Sequence, residues 1–332
     1  MFRLVERRWM YFAVSGIILI VGLVTLTYST ISTGEPLQLG IDFTGGTIFQ
    51  LQFTESVGEQ ELRDLFNVMG YEQLIVQELN PLQTSAIEGQ EEDYPDGSRW
   101  SVRTEEANTE TISSTLGRLT TELKPLDQEA TSTAEVSGQV GSEVTRAAFF
   151  ATLAATVLIL VFMRLAFRKV PNAFRYGACA IAAMIHDLLI MLTVMSILGL
   201  LFGWQADSLF LTAILTVLGF SVQDTIVVFD RIRENIPKRR MEPYELIVNR
   251  SILETVHRSV ATQLNAVFVM IAIVLFGGET MRQFIIVLLI GLTSGTYSSI
   301  FIAVPLLVAW EKGEIPFVNR ACRQQKAVNA AA

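Results

Sequence analysis

The chain has 332 residues, 51% of them hydrophobic and 17% charged, and a mean hydropathy of +0.42, values that exclude an ordinary soluble globular protein. Its net charge of −8 is unevenly spread: Glu35–Glu143 holds 21 acidic against 5 basic residues, a net of −16 that leaves +8 for the remainder. So acidic a stretch argues against nucleic acid as a partner.

In chain order, residues 1–33 carry a short basic N-terminus and the apolar run Trp9–Ser29. That run exceeds the 7–15 apolar residues of a secretory signal and no A-x-A site follows it, so it reads as a retained transmembrane helix. Residues 34–143 read as one exported α/β domain. Apolar residues suit strands in Gln38–Thr54, interrupted by Gly45-Gly46. Glu59–Met69 has helical spacing (Leu62, Leu65, Phe66, Met69), and Gln73–Leu79 is strand-like. The acidic, turn-rich Asn80–Ser98 follows, including the loop 88–96, then a strand at Arg99–Thr104, a helix at Asn108–Leu123 and a strand at Glu129–Val140. The order βαββαβ predicts a ferredoxin-like unit. The paired glycines of IDFTGGT (Ile41–Thr47) complete no phosphate-binding fingerprint and read as a bulge or a tight packing contact.

Residues 144–310 hold five more apolar runs, Ala147–Leu165, Ala173–Leu198, Ser208–Ile232, Ser259–Phe276 and Phe284–Trp310. With the first they predict a membrane α-helical bundle of six transmembrane helices. Lys and Arg cluster before the first helix, between the second and third, after the fourth and in the tail 311–332, which predicts both termini on the cytoplasmic side and residues 34–143 outside. The loop 233–250 contains Tyr244, Leu246 and Ile247 at amphipathic spacing. Contact with membrane lipids, docking of a partner and a plain basic loop all remain open for it.

Polar residues inside the apolar runs are the candidates for function. A carboxylate at the centre of a span costs about 2.5–3.5 kcal/mol on insertion scales, so Asp224 needs a partner, a cavity or an ion path. It lies seven residues before Arg231, about 10 Å along a helix, and Arg258 lies eight residues past Arg250, about 12 Å. If the two helices are antiparallel neighbours, Asp224 and Arg258 meet at one depth and form an ion pair. His186 and Asp187 lie near mid-span in the third helix, as an extension of a proton relay or as a structural hydrogen-bonded pair. Gly219, Ser221, Gln223 and Thr225 around Asp224, Gln263 and Asn265 in the fifth helix, and the run Gly291–Thr296 in the sixth suit helix packing or a polar path. His186 and His257 lack zinc-site spacing, no G-x-S-x-G or H-E-x-x-H occurs, and the cysteines, Cys179 and Cys322, lie outside the exported domain. Neither an enzyme nor a cofactor is expected.

Several motifs together resemble the SecF family of bacterial protein-export subunits: IDFTGGT, IHD at Ile185–Asp187, GFSVQDTIVVFDRIREN at Gly219–Asn235, NRSILETVHRS at Asn249–Ser259 and GTYSSIFIA at Gly295–Ala303. The resemblance covers nearly the whole chain. It implies half of a transporter similar to the resistance-nodulation-division superfamily, set in the bacterial cytoplasmic membrane. Its implied partners are SecD, the SecYEG channel and the translocating preprotein, and its implied energy source is the proton gradient. The family's intramembrane Asp and Arg fall on Asp224 and Arg258. Sodium is the weaker alternative as coupling ion, because Arg258 disfavours a resident cation. The alternative function is a scaffold whose charges merely lock helices together.

Overall fold

The computed structural model describes residues 4–71, 74–79, 98–104, 106–127, 130–167, 173–239, 241–276 and 279–314. The acidic loop 88–96 and residues 315–332 of the tail lie outside these. Two compact units emerge, one of Met1–Leu37, Ala151–Leu201 and Leu209–Ala332, the other of Gln38–Phe150 and Phe202–Ser208.

The smaller unit contains a four-stranded antiparallel sheet of β1 (Gly46–Gln52), β2 (Ile75–Leu79), β3 (Arg99–Thr104) and β4 (Ser132–Val136) in the order β2-β3-β1-β4. With its two longer helices this is the predicted ferredoxin-like unit. The registers Phe49↔Val102 and Leu51↔Trp100 set alternate residues on one face. There they bury Phe49, Leu51, Phe53, Trp100 and Val102 against Leu62 and Phe66 of a helix at Glu59–Val68 and Leu119 beyond a helix at Thr109–Arg118. The second of these helices starts at Asn108, whose Oδ1 accepts from the Thr111 N–H at 2.9 Å.

Three boundaries differ from expectation. Ile41–Thr44 forms a short helical turn rather than strand. The last strand stops at Val136, and the chain turns helical at Gly138. The reason is a close backbone approach: a Cβ on Gly45 would lie 2.5 Å from the Gly138 Cα, and one on Gly141 would lie 2.7 Å from the Gly45 nitrogen. Gly45 (φ +77°) and Gly46 (φ +124°) take backbone angles that side chains disfavour, so the glycine pair serves as a packing contact. The third difference is that the turn Phe202–Ser208 belongs to this unit. Leu39 pairs with Ala206, with Gly40 N–H donating to Ala206 O at 2.7 Å and Ala206 N–H to Gln38 O at 2.8 Å.

Among the described residues six helices are long and apolar enough to cross a membrane: Val5–Thr33, Gly138–Ala166, Phe174–Phe202, Ser208–Lys238, Tyr244–Phe276 and Met281–Glu311. Their helical segments are numbered α1 (Arg8–Thr33), α2 (Gly138–Ala166), α3 (Ala173–Phe202), α4 (Ser208–Lys238), α5 (Tyr244–Phe276) and α6 (Glu279–Ser298), the last continued by a π-helical turn Ser299–Ala303 and α7 (Val304–Glu311). Among the described residues of the loop 233–250 there is no separate amphipathic helix. Tyr244, Leu246 and Ile247 open α5 itself, and Ile247 is buried. In the larger unit Phe167 stacks on Tyr176 at 5.4 Å, and both rings meet Phe229 edge-on. Ile232, Ala303, Val304 and Leu307 complete that core. At one end of the bundle Arg8 bridges Glu245 at 3.0 Å and Glu314, Lys312 also pairs with Glu245, and Arg175 pairs with Glu311 at 2.8 Å. The start of α1 and the end of α7 therefore emerge at the same end.

Candidate functional site

Each of two adjacent spans brings a carboxylate into the bundle. On α3, Asp187 is 0% exposed. Its Oδ2 accepts from Ser221 Oγ of α4 and from Ser298 Oγ of α6, each at 2.6 Å, and its Oδ1 accepts from Ser294 Oγ at 3.0 Å. Ser294 and Ser298 are one helical turn apart and so share a face of α6. His186 Nδ1 lies 3.3 Å from Asp187 Oδ1, and its ring sits 6.4 Å from that of Tyr297, whose hydroxyl accepts from Ser15 Oγ of α1 at 3.3 Å. His186 Nε2 is buried with no partner among the described residues. The widened π-helical turn begins directly after Ser298, a device that recurs at functional positions in helices.

One turn beyond Ser221 on α4 is Asp224, 6% exposed. Its Oδ2 accepts from Gln263 Nε2 of α5 at 2.9 Å, and Ser259, one turn before Gln263, also hydrogen-bonds it. Gln263 Oε1 is buried without a partner among the described residues.

The expected Asp224–Arg258 ion pair is not among the contacts of the described residues; Arg258 is exposed on the outward side of α5. Matching helix depths fixed the level, since Ser259 is the next residue, but not the angle. Successive helical residues differ by about 100° in direction, so Arg258 cannot share the face of Ser259 and Gln263. Gly219, Gln223 and Asn265 are likewise exposed in this chain. A Cβ on Gly219 would meet nothing within 4 Å. The close glycine contacts lie on α6 instead, where a Cβ on Gly291 would sit 2.6 Å from Val217 Cγ2 and one on Gly295 would sit 3.1 Å from Ser221 Cβ. Thr225 is buried but gives its hydroxyl to the Ser221 carbonyl at 2.9 Å. Ser221 likewise gives its hydroxyl proton to Asp187, not to Asp224. Among the described residues no group of three or more His, Cys, Asp or Glu side chains converges as a metal site would.

Of the sequence candidates, the structure therefore assembles His186, Asp187, Ser221, Asp224, Gln263 and, from the run Gly291–Thr296, Ser294. It adds Ser259 and Ser298. Serine is common in helices, and only the i, i+4 spacing of Ser259 to Gln263 and of Ser294 to Ser298 distinguishes these two.

Comparison with known proteins covers the same residues. The family described as "Protein export membrane protein SecD/SecF, C-terminal" matches residues 115–313, and the "SecD/SecF GG Motif" matches residues 31–57. "Protein translocase subunit SecF" of Anaerolinea thermophila is 40% identical over 319 residues, 95% of this chain and 96% of the relative. Its namesake in Thermobaculum terrenum is 40% identical over 332 residues, 98% of this chain and 99% of the relative. The crystal structure of SecDF, a translocon-associated membrane protein from Thermus thermophilus, is 26% identical with a TM-score of 0.74, covering 94% of this chain. This chain spans 39% of that longer one.

Proposed function

The chain belongs to the SecD/SecF family of protein-export membrane proteins, and from that premise we propose that it promotes preprotein export across the bacterial cytoplasmic membrane by coupling it to proton movement at Asp224. The supporting observation is the arrangement of Asp224 itself. It lies inside a span, contacted by a neutral amide and a hydroxyl, with a guanidinium one residue off the contact face. A protonated Asp224 needs no counter-ion and suits Gln263 and Ser259. A deprotonated one attracts Arg258, which a rotation of α5 by about the angle of one residue would bring round. Proton uptake and release would thus bias two packings of one helix. A charge crossing 100 mV supplies about 2.3 kcal/mol, enough to shift such an equilibrium appreciably.

Exposure of Arg258, Gln223 and Asn265 on spans of the bundle supports a partner covering that side, because polar groups at membrane depth are costly against lipid. SecD is the partner proposed, on the strength of the SecDF chain, of which this one spans 39%. The SecYEG channel and the translocating preprotein complete the assembly. The termini, emerging at one end, are assigned to the cytoplasmic side by the clustering of Lys and Arg there.

The test is export into membrane vesicles containing SecD and SecYEG, with Asp224→Asn against wild type. The amide preserves size and a hydrogen-bonding oxygen, so normal abundance and assembly are expected with gradient-dependent stimulation lost. Full stimulation by that variant would remove the proton-carrier role.

A further inference from the structure

A groove of about 460 Å³ runs between α5 and α6 in the larger unit, a volume within the usual range of ligand sites. Its wall on α5 includes Ile252, Val256, Val260, Leu264 and Val267, and the stacked rings of Tyr297 and Phe301 line it on α6. Val260 and Leu264 are 43% and 48% exposed, so this wall is open to whatever surrounds the span. Ile252 to Val267 is about 22 Å of helix, which leaves the groove a mean cross-section of about 20 Å². A helix 10 Å across needs about 80 Å², so the groove has room for a single hydrocarbon chain and not for another span. Direction about the helix axis also separates it from the face assigned to a partner. At 100° per residue, Val256, Val260 and Val267 point about 160–180° away from Arg258. The polar face and the groove are on opposite sides of α5, which leaves lipid to cover the groove.

At the end lined by Leu4 the groove meets the 3₁₀ turn Val5–Arg7. Side chains three apart eclipse in such a turn, so Arg7 shares the face of Leu4, while Glu6 is a third of a turn away. Arg7 is exposed with no ion pair among the described residues, and the nearby acids Glu245 and Glu314 are taken up by Arg8 and Lys312. Trp9, 60% exposed, marks the headgroup level two residues on. We propose that the groove seats one acyl chain of an anionic phospholipid, with Arg7 at the lipid phosphate. Turning α5 by one residue toward Arg258 would set Thr255, Ser259 and Gln263 where Val256, Val260 and Leu264 now stand, an apolar wall made polar. A seated chain therefore favours the packing in which Gln263 and Ser259 hold Asp224; this consequence alone rests on the proton-coupling reading.

The test is native mass spectrometry of the purified full chain in detergent, titrated with phosphatidylglycerol or with phosphatidylcholine of the same acyl chains. Wild type should retain one phosphatidylglycerol about fivefold more tightly than phosphatidylcholine, the weight of one basic residue at an anionic headgroup. Val260→Trp fills the groove and should weaken both lipids about tenfold, as two unburied methylenes would. Leu153→Trp, at an exposed position of α2, should change neither. If Val260→Trp fails to fold, Leu264→Phe at the same open wall takes its place. Arg7→Gln should erase the preference and leave phosphatidylcholine binding unaltered. Asp224→Asn, with no charge to draw Arg258 round, should bind at least as tightly as wild type. No gradient or export enters the measurement, which separates failure here from failure of proton coupling. Equal binding by Val260→Trp and Leu153→Trp would reduce the lipid to the general shell around the bundle and overturn the site. A preference that survives Arg7→Gln would overturn the headgroup contact. Displacement of the lipid by added SecD would assign the groove to a partner, and weaker binding by Asp224→Asn would overturn the tie to α5 packing.

Discussion

Asp187 and Asp224 are the same residue type, set on neighbouring spans and separated by little more than a serine, yet their surroundings differ in kind. Asp187 is sealed and accepts from three hydroxyls contributed by two other helices, with an imidazole beside it. Asp224 accepts from an amide and a hydroxyl of a single helix, and the amide's own oxygen is left over. A carboxylate so fully satisfied ties α3, α4 and α6 together and would have to break several bonds to change state. One held by a single neighbouring helix can exchange partners when that helix turns. Under the proposed function the difference suits Asp187 to locking and Asp224 to switching, whereas their sequence contexts left Asp187 open between a relay and a structural pair.

The division is broken most directly at Asp187. Replacing it by Leu strands three serine hydroxyls, each worth about 0.6–1.7 kcal/mol in membrane proteins, so a loss of about 2–5 kcal/mol is expected. Reversible unfolding in mixed micelles measures it. A loss no larger than that of Asp224→Leu would erase the distinction between the two acids.

A smaller effect is expected where α6 meets α4 beside the Asp187 cluster. Gly295→Ala places a methyl 3.1 Å from Ser221 Cβ. Overpacking of about 1–3 kcal/mol is partly offset by a helix-propensity gain of up to about 1, for a net destabilisation near 1 kcal/mol. Gly219→Ala on the open side of α4 should be neutral or slightly stabilising. If the two alanines behave alike in the same unfolding assay, α6 does not press on Ser221 as described.

Much of this was legible in the residues alone, for identifiable reasons. Hydrophobic length gave the six spans, short apolar runs between turn signals gave the strands, and the rise per residue placed Asp224 level with its neighbours on α5. Angle about the helix axis was not legible: Arg258 and Ser259 differ by 1.5 Å in height but by about 100° in direction, and only packing decides which faces inward. The same ambiguity hid that Gly219, Gln223 and Asn265 face outward in this chain. Contacts between distant segments were equally hidden. The turn Phe202–Ser208 joins the smaller unit through the pairing of Ala206 with Leu39, far apart in the chain and unmarked by any motif.

The finest measure of the comparison is the coupling of each acid to one donor. A double-mutant cycle of Asp187→Ala with Ser298→Ala isolates a 2.6 Å hydroxyl contact inside a shared network, and its coupling should approach the upper end of the membrane range, about 1.5 kcal/mol. The cycle of Asp224→Ala with Gln263→Leu isolates a 2.9 Å amide contact at a less crowded acid, and should lie near the average, about 0.6 kcal/mol. A switch needs the second number to be small, because a strong bond to Gln263 would hold Asp224 in one packing whatever its protonation state. A coupling at Asp224 equal to or above that at Asp187 would make both acids locks, and the structural-scaffold function would then account for the helices better than proton coupling does.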